Sequence, residues 1–164
     1  YWRDNRLNMI HEGTHGIQAA DLLGRKVLME NGRGMQLLAG RMQATMAQAA
    51  AVPELAPYAA QLGDALQQVA AATQAAWATG NPAEALANAV PYMQAFGHTV
   101  LAWVWLDVAL ATLRADATLS VAASAGRMGA ARYFYHYELP KIGAWLKVAA
   151  SRDATCASLP EDAF

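Results

Sequence analysis

The chain has 164 residues, 12 Lys and Arg against 13 Asp and Glu for a net charge of −1, and a 55% apolar composition. That length suits one domain with a single sizeable core. The balanced charge, with no basic block or Lys/Arg stripe, argues against a nucleic-acid partner, and the lone Cys156 excludes an internal disulfide, as suits a reducing, cytoplasmic setting. The chain opens at Tyr1 without an initiator Met and shows no signal peptide, so it is expected to be a fragment or processed product of a longer protein.

Nearly everything after Ile17 has helical composition. Ala, Leu, Met and Gln dominate, and no period-two alternation persists. A first helix is expected over residues 15–29, stopped by "ENGRG" (30–34) with its Asn and Gly breakers. A second follows over 35–51, and Pro53 and Pro57 bracket the next start. The third, over 55–79, carries Leu55, Tyr58, Leu62, Leu66, Val69, Thr73 and Trp77 at helical spacing, which gives it one apolar face. Gly80 ends it. Asn81 is then a candidate N-cap before Pro82 at the first helical position.

A fourth helix is expected over 82–115, with Pro91 forcing a kink or restart. It contains the most apolar run, "VLAWVWLDVALATL" (100–113), which includes Asp107 and is shorter than the ~18 residues that suggest a membrane span. The run therefore reads as a buried central helix. Asp107 would need a partner if buried, and Arg114, Arg127, Arg132 and Lys141 are candidates. Residues 114–126 read as a loose connection, 128–150 as a last long helix interrupted at Pro140, and the remainder as polar and irregular. The fold expected is all-α, an up-and-down bundle of four to five helices. Its core would include Trp77, Trp103, Trp105, Trp145, Met35, Met42 and Met46. His98 and His136 join no motif.

"HEGTH" (11–15) matches the H-E-x-x-H pattern of zinc proteases. That chemistry needs His11 and His15 on one helical face, with Glu12 as general base. Gly13 and Gly16 flank Thr14, and each Gly costs a helix interior ~1 kcal/mol relative to Ala. The segment reads instead as a turn entering a helix, with Thr14 as a possible N-cap. The extended zinc signature also places its third His where this chain has Asp21, and its Gly where this chain has Gln18. No metal is expected.

The wider stretch "RDNRLNMIHEGTHGIQAADLLGRKV" (3–27) resembles the C-terminal domain of acyl-CoA dehydrogenases. The likeness runs through Arg3, Asp4, Arg6, Glu12, Gly13, Thr14, Ile17 and Gln18. The later "GAARYFYHYELPKIGAWL" and the closing "LPEDAF" are similar to the extension of one branch, which includes 3-methylmercaptopropionyl-CoA dehydrogenases. This resemblance implies that Glu12 is the catalytic base, that Gly13 touches the substrate, and that Thr14, His15 and Gly16 line FAD. It implies an acyl-CoA substrate, an electron-transfer flavoprotein or similar acceptor, a homo-oligomer, and further N-terminal and β domains upstream. His11 departs from the family, which usually has Tyr before the base. Arg3, Asp4 and Arg6 would support the base segment or form a solvated charge run. The competing class is a non-catalytic helical oligomerisation or interaction module.

Overall fold

The computed structural model describes residues 3–9, 14–115 and 118–163. All regular structure among the described residues is helical, as the composition implied. A 3₁₀ turn, Asp4–Met9, precedes α1 (His15–Asp21), which runs on as a π turn, Leu22–Lys26. Then come α2 (Met29–Ala50), α3 (Ala56–Ala76), α4 (Pro82–Leu86) and α5 (Ala89–Arg114). α6 (Val121–Tyr133) continues as a π turn, Phe134–Glu138, and a 3₁₀ turn, Leu139–Lys141, into α7 (Ile142–Ser151). α8 (Thr155–Ser158) and a 3₁₀ turn, Glu161–Ala163, complete the order.

The bundle is organised around α5, which packs against α1, α2, α3, α6 and α7. Its buried residues fall on a seven-residue rhythm: Tyr92, Thr99 and Leu106 alternate with Ala95, Ala102 and Ala109. α3 answers with the same rhythm in Leu62, Val69 and Ala76, beginning from Leu55 just before it, and in Ala65 and Ala72. Such spacing keeps one seam facing the neighbour along several turns. Alanine at half of the α5 positions leaves the backbone within reach, and the Tyr135 hydroxyl donates to the Ala102 carbonyl at 2.9 Å. Tyr135 also stacks on Tyr58 of α3, with ring centroids 4.6 Å apart.

Polar atoms in this core are satisfied locally, as burial demands. Thr99 and Thr112 donate to the Ala95 and Val108 carbonyls. Thr73 donates to the Val69 carbonyl, so its oxygen is the acceptor for the Tyr92 hydroxyl at 2.7 Å. Trp103 donates across to Thr45 of α2 at 2.9 Å.

Several boundaries fall where the sequence places them. Asn81 caps α4, its side chain accepting from the Ala83 amide at 3.0 Å. Pro91 lies in the first turn of α5, where no intrahelical N–H is required. The chain breaks at the foreseen "ENGRG", with Glu30, Asn31 and Gly32 all at positive φ (50°, 56° and 78°). A regular helix is denied to those residues, and only Gly takes that conformation without steric cost.

Two expectations are corrected. Residues 121–126 are helix, because Ser120 caps the Ala123 amide at 3.2 Å and starts α6 well before residue 128. And α5 is central but buried only along its seam: Leu101 (47% exposed), Val104 (44%) and Asp107 face outward. Asp107 therefore has no need of a buried partner, and Arg114 donates instead to Gln48 of α2. By length and composition alone α5 could cross a membrane, its mean hydropathy reaching 1.4, yet it lies at the centre of the bundle.

Ala102 is wholly buried beside Tyr135. Ala102→Leu should overfill the seam and displace the tyrosine hydroxyl. The expected loss is ~1–3 kcal/mol in urea unfolding, and an unchanged midpoint would show that the seam is not closely packed there.

Candidate functional site

The motif residues divide at the edge of the described chain. His11, Glu12 and Gly13 lie outside the described residues, whereas Thr14, His15 and Gly16 lie within them. Thr14 stands immediately before α1, half-buried, and the Gln18 amide closes the first turn onto its carbonyl at 2.8 Å. A helix opening at this point is what the sequence implied. The hydroxyl, however, makes no capping bond, and Thr14 has helical angles (φ −95°, ψ −7°) rather than the extended ones a side-chain cap needs.

His15 and Gly16 are exposed in the first turn. Amides of a first turn have no acceptor within their helix and carry the positive end of its dipole. Among the described residues, a Cβ built on Gly16 would meet nothing within 4 Å. Such an end suits an anion. The metal reading of "HEGTH" rests on His11 and Glu12, outside the described set. Among the described residues no three His, Cys, Asp or Glu side chains group together.

The segment after the motif is firmly docked. Ala19 and Leu23 are fully buried, and α1 packs on α5. The π turn brings its backbone so near α4 that a Cβ on Gly24 would lie 3.3 Å from the Leu86 side chain, which explains glycine there. In this turn Val27 bonds back to Leu22 and Leu28 to Arg25, while the Leu23 carbonyl accepts from the Trp77 indole at 3.1 Å. Ile17, by contrast, points outward and is 71% exposed. Arg3, Asp4 and Arg6 are exposed on the preceding turn.

A second cluster was not legible as a motif. His98 of α5 sits edge-on to Trp145 of α7, with centroids 4.7 Å apart, and tilted against Phe134 at 5.8 Å. Its Nε2 lies 3.5 Å from Glu138 Oε2, which Lys141 Nζ also meets at 2.6 Å. The sequence signal was half present: Glu138 and Lys141 have the i,i+3 spacing of a helical ion pair. Forty residues separate His98 from Glu138, and only the antiparallel return of α6 closes that gap. His136 is exposed on the same π turn. Grooves lined wholly by described residues include one of about 380 Å³ beside Lys26, Arg33 and Leu37, and one of about 490 Å³ along Arg132, Tyr133, His136 and Tyr137 on this same turn.

Asp21 closes α1 with an ion pair to Arg25 at 2.5 Å, and that hydrogen bond holds its carboxyl below the usual range. A carboxylate with a depressed folded value adds stability above its unfolded value and loses it as pH falls through the folded one. Asp21→Asn should therefore remove a small stabilisation at neutral pH, small because the pair is exposed, and converge with wild type as pH falls below about 4, which flattens the acid limb. Chemical denaturation across that range reads the effect, and an acid limb identical to wild type would refute it.

The family model described as "Acetyl-CoA dehydrogenase C-terminal like" matches residues 38–160. The chain is 36% identical over 123 residues to 3-methylmercaptopropionyl-CoA dehydrogenase of Ruegeria pomeroyi, covering 73% of this chain and 20% of that protein. It is 26% identical over 169 residues to butyryl-CoA dehydrogenase of Syntrophomonas wolfei subsp. wolfei, covering 99% of this chain and 28% of that protein. The chain thus spans less than a third of the length of either relative.

Proposed function

Because the chain belongs to the family of acyl-CoA dehydrogenase C-terminal domains, we propose that it is the C-terminal part of an acyl-CoA dehydrogenase and supplies the base, Glu12, that removes the α proton of an acyl-CoA. The observation that carries this reading is the setting of the motif. "EGT" runs directly into a helix whose first-turn amides suit an anion and whose body is fixed to α5 through Ala19 and Leu23. Catalysis requires a base held in register with its substrate, and a docked helix immediately after it provides a fixed point.

The chemistry suits a glutamate. The α proton of a thioester is too weakly acidic for a solvated carboxylate. Enclosing the base in a desolvated pocket raises its proton affinity, and polarising the thioester oxygen lowers the barrier from the other side. FAD, when bound, accepts the Cβ hydrogen as hydride. Gly13 lets the substrate approach the backbone, and Thr14, His15 and Gly16 line the flavin's phosphate end with their amides.

Electrons pass on to an electron-transfer flavoprotein or a similar acceptor, and the enzyme works in the cytoplasm as a homo-oligomer. The outward apolar residues of α5, Val90, Leu101 and Val104, together with Ile17, form surface suited to other domains or subunits. The same surface supports the alternative of an oligomerisation module without catalysis.

Two results test the proposal, and the second separates it from the alternative. The 164-residue chain alone should fold as a helical bundle, self-associate and carry essentially no flavin. A yellow fragment that reduces a dye with acyl-CoA would contradict this. In the longer protein, Glu12→Gln should leave flavin and acyl-CoA binding nearly intact. It should slow anaerobic flavin bleaching by at least ~10²–10⁴, while Glu12→Asp keeps part of the rate. Bleaching of the Gln variant within a few-fold of wild type would remove Glu12 from the chemistry.

A further inference from the structure

We infer that His98 and Glu138 form a pH-sensitive latch that fastens the π turn Phe134–Glu138 to the central helix α5. The stereochemistry of the imidazole leads there. Its Nδ1 lies 3.0 Å from the Gln94 carbonyl oxygen. A carbonyl can only accept, so Nδ1 carries a hydrogen. The neutral ring has one N–H, and Nε2 would then turn a lone pair toward the Glu138 carboxylate at 3.5 Å. That contact is repulsive. In the imidazolium both nitrogens carry hydrogens, and the same contact becomes a charge-assisted attraction. The Gln94 carbonyl thus makes protonation of His98 the condition for closing this contact.

Among the described residues, the groups recorded against this pair are few. The carboxylate facing His98 is Glu138, and behind it Lys141 of the adjoining 3₁₀ turn shares the same oxygen. The Tyr133 hydroxyl approaches the other oxygen at 3.5 Å. Phe134 and Trp145 are the uncharged walls. With His98 and Glu138 each about three-quarters buried, the pair is shielded more than a surface ion pair. Lys141 chiefly, then His98, holds the Glu138 carboxyl below its usual range, which favours the charged acceptor.

The segment that would respond is one where the helical ladder is already irregular. π turns interrupt the i,i+4 bonding and recur at functional positions. This one carries the exposed Tyr137, stacked on Tyr133 with centroids 5.0 Å apart, and the exposed His136. At low pH the latch is closed. As His98 loses its proton, Lys141 keeps Glu138 but this ionic tie to α5 is lost, leaving the Tyr135–Ala102 bond to hold the turn.

Amide hydrogen exchange in the protein, corrected for intrinsic rate and followed alongside the His98 ring signals, tests this. Protection across residues 134–138 should fall about two- to fivefold as His98 deprotonates, the span expected for one partly screened ion pair. Amides of α3 should not follow. Glu138→Gln preserves shape and should abolish the dependence. His98→Gln should fix protection at the high-pH level. A Glu138→Gln protein that keeps the wild-type pH profile, or wild-type protection flat across the His98 titration, would overturn the latch.

Discussion

The close seam along α5 is the constraint on which the structure rests. Ala95, Ala102 and Ala109 let neighbouring elements come near the backbone, while Tyr92, Thr99 and Leu106 fill the space between. Bulk at the small positions would separate the helices, and polar groups there would be stranded. The threonines show the second condition being met, since each returns its hydroxyl to its own helix. Tyr135 goes further and bonds a backbone carbonyl of α5 directly. An alanine-rich sequence is thus a means of close packing, with large side chains from α3 and from the π turn after α6 completing a core that alanine alone could not fill.

The same helix links core to candidate site. α1 docks on α5 through Ala19 and Leu23, and Trp77 secures the adjoining π turn. Thr14, His15 and Gly16 therefore belong to a helix start fixed by the core, one sequence step from the "EG" of the motif. Elsewhere along its length α5 offers His98 to Glu138 and Trp145. One rigid rod positions two chemically distinct places. Its outward stripe of Val90, Leu101 and Val104 stays exposed.

Much of this was legible in the residues, and for identifiable reasons. Asn81-Pro82 has one sensible use, a cap and a first turn, and that use is realised. Asn31-Gly32 breaks the helix because both tolerate positive φ, although Glu30 joining them there could not be foreseen from its own preferences. The early start of α6 was hidden because "LSVAAS" looks like linker by composition, while its helicity depends on the Ser120 cap and on packing against α5. The exposure of Leu101 and Val104 was hidden because an apolar run does not say how many of its faces are covered. For the site, the likeness around "EGT" points to Glu12, which lies outside the described residues, whereas the His98 cluster depends on which helices return beside α5. That is tertiary information no local pattern holds.

Native-state hydrogen exchange resolved by residue tests most directly whether α5 holds the bundle together. If the seam is the common support, amides around Thr99, Ala102 and Leu106 should exchange slowest and only through global unfolding, with a free energy equal to that from denaturant titration. α1, α4 and α8 should open in smaller steps below it. Exchange of the α5 seam through a partial opening, while α3 and α7 stay protected, would contradict a fold organised around α5.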